Sequence, residues 1–320
     1  MIGSIGVAIA SFNGEKYISE QINSIINQKT KVDKIVINDD KSTDKTIVII
    51  NKLITKGYPI VLHQNEENLG YSRNFLECIK KCDTDYIFIC DQDDLWLENK
   101  VEEMVNFINK NINSLCWMHD CSLTNENLEI KVKSKINNIQ RQFMNRNCFI
   151  MGACMVLSKK AKNYIYPYPT NMSKFGHDNW IAFVMQGINK LKVTNKSLLL
   201  YRRHGNNTSI NDFNSLSFSN RYVILLKKLI KKISSLKKTS HKKVSLRKRD
   251  LEWSRLLKRN TEKYDLNIKK EFQINTFRIA SKISEKNFLG RIILIRKLIN
   301  LGYYKYRSDL FSALDDLFFS

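Results

Sequence analysis

Short apolar runs alternate with segments of helical periodicity through the first ninety residues, and this alternation constrains the fold more than any other feature of the chain. Ile5 to Ala10 reads as a strand, Lys16 to Asn27 as a helix with Tyr17, Ile18, Ile22, Ile25 and Ile26 at helical spacing, and Lys34 to Asn38 as a second strand. A helix over 42–55, a strand over 59–63, a turn over 65–70, a helix over 72–82 and a strand over 86–90 continue the pattern. Such alternation implies a mostly parallel sheet with helices on both faces. Ligands of these sheets bind beyond the carboxyl ends of the strands. Three polar clusters fall there: Ser11-Phe12-Asn13, Asp39-Asp40, and Asp91 to Asp94. Their shared position makes them candidates for one site.

Downstream, 125–147 reads as a polar loop with some helix, 148–157 and 191–201 as strands, and 177–187 as a helix. With 320 residues, 43% of them apolar, the chain is long enough for one sizeable α/β domain and a smaller appendage. The seven cysteines, at 78, 82, 90, 116, 121, 148 and 154, include no CxxC pair and are expected to be reduced, as in a cytoplasmic protein. Met1-Ile2-Gly3 leads straight into a strand without a basic n-region, so export by a signal peptide is not expected. The most apolar later stretches, 222–230 and 292–299, are too short to span a bilayer and are broken by Lys or Arg. Any membrane contact is therefore expected to be peripheral, on the inner face of the cell membrane.

The net charge of +22 is unevenly spread. Residues 1–220 hold 27 Lys and Arg against 22 Asp and Glu, whereas 221–320 hold 26 against 9. Basic amphipathic helices are expected beyond Ser219, and the division into domains is expected near 1–215 and 216–320. Arg221 to Ile233 reads as a basic amphipathic helix, either an interfacial element on an anionic membrane surface or one face of a packing module. Lys237 to Arg249 reads as a charge run or linker.

The acidic triplet Asp91-Gln92-Asp93 follows the apolar strand Tyr86 to Cys90. Carboxylates on a rigid strand end suit a divalent cation whose shell is completed by phosphate oxygens, and such a cation neutralises a diphosphate leaving group. Taken alone, a triplet of this kind is more often a turn or a helix cap. Five further blocks accompany it in order: Ile9 to Tyr17, Asn38 to Thr46, Asn68 to Phe75, Gly176 to Trp180, and Tyr201 to Asn207.

On these six blocks the chain, over about residues 5–212, resembles the family 2 glycosyltransferases, and within them the rhamnosyltransferase-like branch. The resemblance implies a GT-A fold, a Rossmann-like α/β architecture with a mostly parallel mixed sheet, followed here by a basic helical region. It implies that Phe12, Asp39, Asn68, Arg73 and Asp91 contact the nucleotide, and that Asp93 and His204 bind Mg²⁺ or Mn²⁺. Gly152, His177 and Arg202 or Arg203 would meet the donor sugar or its diphosphate, and Asp178 would be the catalytic base. The histidine at 177 stands where many relatives have glutamate and, as in the rhamnosyltransferase-like branch, inclines the donor toward a deoxysugar. Physical chemistry agrees for Asp39, since an ionised carboxylate only accepts hydrogen bonds and matches a pyrimidine N3–H. Asp39 and Asp178 also suit helix N-caps. The activity expected is inverting transfer from a nucleotide-sugar, dTDP-rhamnose or a UDP-hexose, to a hydroxyl of a glycan or lipid-linked saccharide in bacterial envelope synthesis.

The basic tail admits a nucleic-acid-binding protein, but it lacks regularly interleaved aromatics or any known module, so no nucleic acid partner is expected. A non-catalytic sugar-nucleotide binder would have no need of both Asp93 and Asp178. A nucleotidyltransferase needs a glycine-rich basic loop that Ser11 to Tyr17 does not provide.

Overall fold

A computed structural model describes residues 3–141, 149–170, 172, 176–205, 236–264, 266–304, 313 and 316, with side chains only from 245 onward in the helix that begins at Leu236. The chain divides into two compact units, the first formed by 1–135, 150–186 and 190–213, the second by 136–149, 187–189 and 214–320. The expected membrane helix over 221–233 lies outside the described residues.

In the first unit the elements follow in the order β1 (Ile5–Ser11), α1 (Ile18–Ile26), β2 (Lys34–Asp39), α2 (Thr46–Thr55), β3 (Ile60–Gln64), α3 (Tyr71–Lys81) and β4 (Tyr86–Cys90). They continue with β5 (Leu95–Trp96), α4 (Lys100–Asn109), β6 (Cys116–Thr124), β7 (Ile130–Val132), β8 (Met155–Ser158), α6 (Lys162–Ile165), α7 (His177–Gly187) and β9 (Leu191–Arg202), while α5 (Lys135–Arg141), between β7 and β8 in the chain, belongs from 136 onward to the second unit. The strands form one mixed sheet in the order β3-β2-β1-β4-β8-β6-β9-β5, with β7 paired to β6. β1, β2, β3 and β4 are mutually parallel where they pair, as the alternation requires. β8 then runs antiparallel to both β4 and β6.

Every residue of β1 is buried, because helices cover both faces of the sheet, and this is why its sequence is a continuous apolar run. α1 buries Ile18, Ile22 and Ile25, and α3 buries Phe75, Leu76 and Ile79. Each such side chain contributes roughly 1.5–3 kcal/mol when fully removed from water. α3 starts after Gly70, whose φ of 78° is one that a side chain would strain.

Three sequence readings are corrected. The stretch 148–157 is a strand only over Met155–Ser158, because Gly152–Cys154 form a 3-10 turn that keeps Gly152 facing a histidine ring. The helix expected from 42 begins at Thr46, because Ser42 and Asp44 spend their side chains on neighbouring loops. The stretch 125–147 contains β7 and α5, and the wholly buried β6 pairs antiparallel with β8 and parallel with β9.

The second unit contains α8 (Leu236–Thr261), α9 (Ile274–Ser281) and α10 (Phe288–Asn300). The charge run over 237–249 is thus helix, not linker. Arg247, Asp250, Trp253, Ser254, Leu257, Asn260 and Thr261 form a buried stripe at helical spacing along α8. Arg247 pairs with Asp316 at 2.6 Å, Tyr304 donates its hydroxyl to the same carboxylate at 3.1 Å, and the Arg249 guanidinium lies 4.4 Å from the Trp253 ring. The unit therefore buries cations by partnering them.

Candidate active site

Parallel pairing places Ser11 beside Asp39 and Ile9 beside Cys90, so β1, β2 and β4 end side by side. Their loops open onto a cavity of about 870 Å³ within the first unit. Its walls bring together Phe12, Asn68, Asp91, Asp93, Gly152, His177, Asp178 and His204, eight of the residues singled out in the sequence.

The loops after β1 and β2 are stitched to each other. Asn13 and Lys41 adopt left-handed backbone conformations, at φ of 47° and 66°, that turn the chain back at each strand end. Backbone N–H groups of Asn13, Gly14 and Glu15 donate to Ser42 Oγ (2.8 Å), Thr46 Oγ1 (2.8 Å) and Asp44 Oδ2 (3.0 Å). The Asn13 and Glu15 side chains accept from the N–H groups of Thr43 and Lys45, both at 2.9 Å. Much of the two motifs is therefore a brace that fixes the cavity rim.

Asp39 belongs to that brace. It is fully buried, and it accepts from the hydroxyls of Ser11 (2.8 Å) and Ser42 (2.6 Å) and from the Ser42 N–H (2.8 Å). It does not line the cavity, whereas its neighbour Asp40 does. Asp40 accepts from Asn65 Nδ2, Leu69 N and Gly70 N, each at 2.8 Å, which ties the loop before α3 to this wall. Asn68 lies on that loop, donating to Asp40 O at 3.2 Å. Buried Asn74 on α3 joins β1 to β2 by donating to the Ser11 and Asn38 carbonyls. Arg73, one residue earlier, is exposed and does not line the cavity.

The opposite wall is acidic. Gln92 both donates to Phe12 O and accepts from Phe12 N at 3.0 Å, so the acidic loop and the loop after β1 are locked together by one amide. Asp91, Asp93 and Asp94 present carboxylate oxygens within 4.8 Å of one another. Burial, then the charges of Asp93 and Asp178, push the Asp91 carboxyl up to about 8, and burial raises Asp94 well above the carboxylate range. Asp94 Oδ1 accepts from Arg202 N at 3.0 Å, and its buried Oδ2 has no partner among the described residues. His204 Nε2 lies 2.8 Å from Asp93 Oδ2, and its ring lies 5.0 Å from that of Tyr17. Crowded carboxylates with an orphaned oxygen and an adjacent imidazole fit a hard divalent cation.

Two cations missed in the sequence serve this wall. Lys100, buried on α4, donates to Ala153 O at 3.1 Å and lies 3.8 Å from the Trp96 ring. Burial pulls its ammonium down to about 8, and its charge acts on Asp91 and Asp94. Lys135, half-buried, lines the cavity within electrostatic reach of Asp91, and its ammonium has no hydrogen bond or ion pair among the described residues.

Arg202 and Arg203, expected at the diphosphate, do not line the cavity. Arg202 is 5% exposed, and its guanidinium donates to Asp93 O (2.9 Å), Glu126 O (2.8 Å) and the Glu20 carboxylate while stacking on Tyr17 at 4.7 Å. It secures the acidic loop from behind. Arg203 is anchored by its backbone N–H to Thr124 O, and its guanidinium lies 5.9 Å from the Tyr201 ring.

The third wall is the start of α7 and the Gly152 turn. His177 is 4% exposed and stacks on Phe75 at 4.1 Å, and neither ring nitrogen has a partner among the described residues. Burial lowers it to about 4, so it is neutral at physiological pH and offers one donor and one acceptor. A Cβ at 152 would come within 2.6 Å of His177 Nε2, which explains the glycine. Asp178 is half-buried, its Oδ1 accepting from Asn179 N at 2.7 Å, while its Oδ2 makes no hydrogen bond among the described residues. The carboxylate therefore bonds the first turn of its own helix through one oxygen only, and the residue lines the cavity.

The sequence profile of Glycosyl transferase family 2 matches residues 6–164, and the chain belongs to this family. Relatives include the dTDP-rhamnosyl transferase RfbG of Shigella flexneri, 36% identical over 34% of this chain and 39% of the relative. An uncharacterized glycosyltransferase of Haemophilus influenzae is 30% identical over 41% of this chain and 53% of its own length. The chain thus spans about half or less of the length of those two. The UDP-Glc:alpha-D-GlcNAc-diphosphoundecaprenol beta-1,3-glucosyltransferase WfaP of Escherichia coli is 27% identical over 66% of this chain and 82% of the relative. Among solved structures, Staphylococcus aureus TarS 1-349 in complex with UDP superposes with a TM-score of 0.52 at 16% identity, covering 88% of this chain and 91% of that one. The mannosyltransferase PcManGT of Pyrobaculum calidifontis, in complex with GDP-Man and Mn2+, does so at 0.52 with 11% identity, covering 99% and 86%. The fold is GT-A.

Proposed function

We propose that the chain is an inverting glycosyltransferase that moves a sugar from a nucleotide-diphosphate donor to a hydroxyl of a growing envelope glycan. The observation that carries this reading is that Asp178, whose Oδ2 makes no hydrogen bond among the described residues, lines the same cavity as Asp91 and Asp93. Phe12 and Asn68 hold the nucleoside from the wall that Asp40 also lines; Asp39 and Asp40 each accept three hydrogen bonds from the surrounding loops and shape that wall. Asp91 and Asp93, with His204 alongside, would hold Mg²⁺ or Mn²⁺, which when bound neutralises diphosphate charge. Lys135 supplies a cation of the chain's own to the same diphosphate, in place of Arg202 or Arg203.

In the transfer step the acceptor oxygen attacks the anomeric carbon as the bond from that carbon to the diphosphate oxygen breaks, the electron pair leaving on the diphosphate. Asp178 Oδ2 takes the hydroxyl proton. His177, neutral and backed by Phe75, offers the donor sugar ring nitrogens that have no partner among the described residues. The names of RfbG and WfaP support a dTDP-deoxysugar or UDP-hexose donor, and that of WfaP supports a lipid-diphosphate-linked acceptor. A lipid-linked acceptor would put the reaction at the cytoplasmic face of the membrane; among the described residues no helix is long and apolar enough to cross a membrane.

The test is Asp178→Asn, assayed for transfer and separately for nucleotide-sugar binding. Loss of about 10²–10⁴ in turnover with binding retained is expected for removal of a general base. Turnover near that of the parent protein would remove Asp178 from the mechanism.

A further inference from the structure

The second unit carries a helix on which a group of large apolar side chains is exposed. α10 docks into its unit through Ile295 and Leu298, which are 8% and 0% exposed. On another side of the helix, Phe288, Leu289, Ile292, Ile293 and Ile299 are 52, 70, 41, 68 and 48% exposed. At 3.6 residues per turn these five side chains fall within an arc of about 140°. Exposed apolar residues are normally scattered, and a contiguous group on one helix marks an interaction face.

The charges around this face identify what it meets. From Lys286 to Asn300 the chain holds Lys286, Arg291, Arg296 and Lys297 and no acidic residue. Arg296 and Lys297 are exposed, Arg296 within the apolar arc and Lys297 beside it, where long aliphatic stems let the charged heads rise out of an apolar phase. A second copy of the chain would set cation against cation, since 221–320 carries 26 Lys and Arg against 9 Asp and Glu. An anionic lipid surface satisfies both the apolar arc and the cations. The helix has 13 residues, fewer than the roughly 20 that cross a bilayer, so its geometry suits lying in the interface.

We propose that α10 is an interfacial anchor that seats the chain on an anionic membrane, its apolar arc at the acyl boundary and its cations among the headgroups. The proposed lipid-linked acceptor makes such seating useful, but the inference stands on the exposed face alone, and its assay does not require transfer activity.

Flotation of the full chain with phosphatidylcholine vesicles, with and without phosphatidylglycerol, tests it. Binding to the anionic vesicles is expected, weakening as salt is raised. Withdrawing one inserted Leu or Ile costs about ten-fold in partitioning, so Leu289→Asn with Ile293→Asn should weaken binding by about 10². Lys286→Gln, Arg296→Gln and Lys297→Gln together should flatten the salt dependence. Should the double variant alter folding, Ile293→Cys bearing an environment-sensitive fluorophore provides a second reading, with a blue shift expected when anionic vesicles are added. Parent-level binding by a folded double variant, or no spectral shift, would overturn the proposal. So would a lipid-free dimer that the double variant dissolves, which would give the face to a second copy.

Discussion

His177→Gln gives the most demanding test of the site's electrostatics. The imidazole is buried between Phe75 and the Gly152 turn, and that burial lowers its pKa from 6.5 to about 4. Below pH 6.5 the unfolded chain takes up a proton at this residue that the folded chain refuses, so stability falls with pH. The loss begins near 6.5, is complete near 4, and amounts in full to about 3 kcal/mol. Between pH 7.5 and pH 5.0 it comes to about 2 kcal/mol. Glutamine is neutral throughout, so the variant should show a pH dependence of unfolding shallower by that amount, whatever its absolute stability. Urea unfolding of both proteins at the two pH values measures it. The chain has five histidines, and loss of a single imidazole resonance in the variant would assign the group directly by NMR. Equal slopes for the two proteins, or a resonance titrating near 6.5, would refute the buried neutral imidazole and with it the proposed contact to the donor sugar.

Arg202→Ala should behave as a stability variant, because it leaves the Asp93 and Glu126 carbonyls and Glu20 without their cation; a loss of about 3 kcal/mol in chemical unfolding is expected. Lys135→Ala should leave unfolding unchanged and lower kcat/KM for the nucleotide-sugar by about ten-fold, as expected for one charged contact to a diphosphate. Gly152→Ala forces the His177 ring off its Phe75 stack, so nucleotide-sugar hydrolysis or transfer should fall while binding of the bare nucleotide persists, which titration with each ligand separates.

The alternation of strands and helices, the parallel core and the position of the three polar clusters were legible in the sequence because they follow from apolar periodicity and chain direction. Strand ends alone brought Phe12, Asp91 and Asp93 together, whereas Asn68, His177, Asp178 and His204 were singled out by the family resemblance, and all seven line the cavity. Which carboxylate of the Asp39-Asp40 pair faces the cavity was not legible. Adjacent residues at a strand end point to opposite sides, and only the brace formed by Ser11 and Ser42 decides that Asp39 turns inward. Arg202 lay in a motif that suggested phosphate, yet its partners are carbonyls of two distant loops, known only once β9 lies near both. Lys100 gave no local signal, since a lysine opening a helix normally lies in water, and Lys135 sat in a stretch without periodicity. The sequence by itself determined which groups are carried to the edge of the sheet. The tertiary structure decided which of them remain free to act, because a polar side chain buried on folding must spend its hydrogen bonds on whatever the fold brings against it.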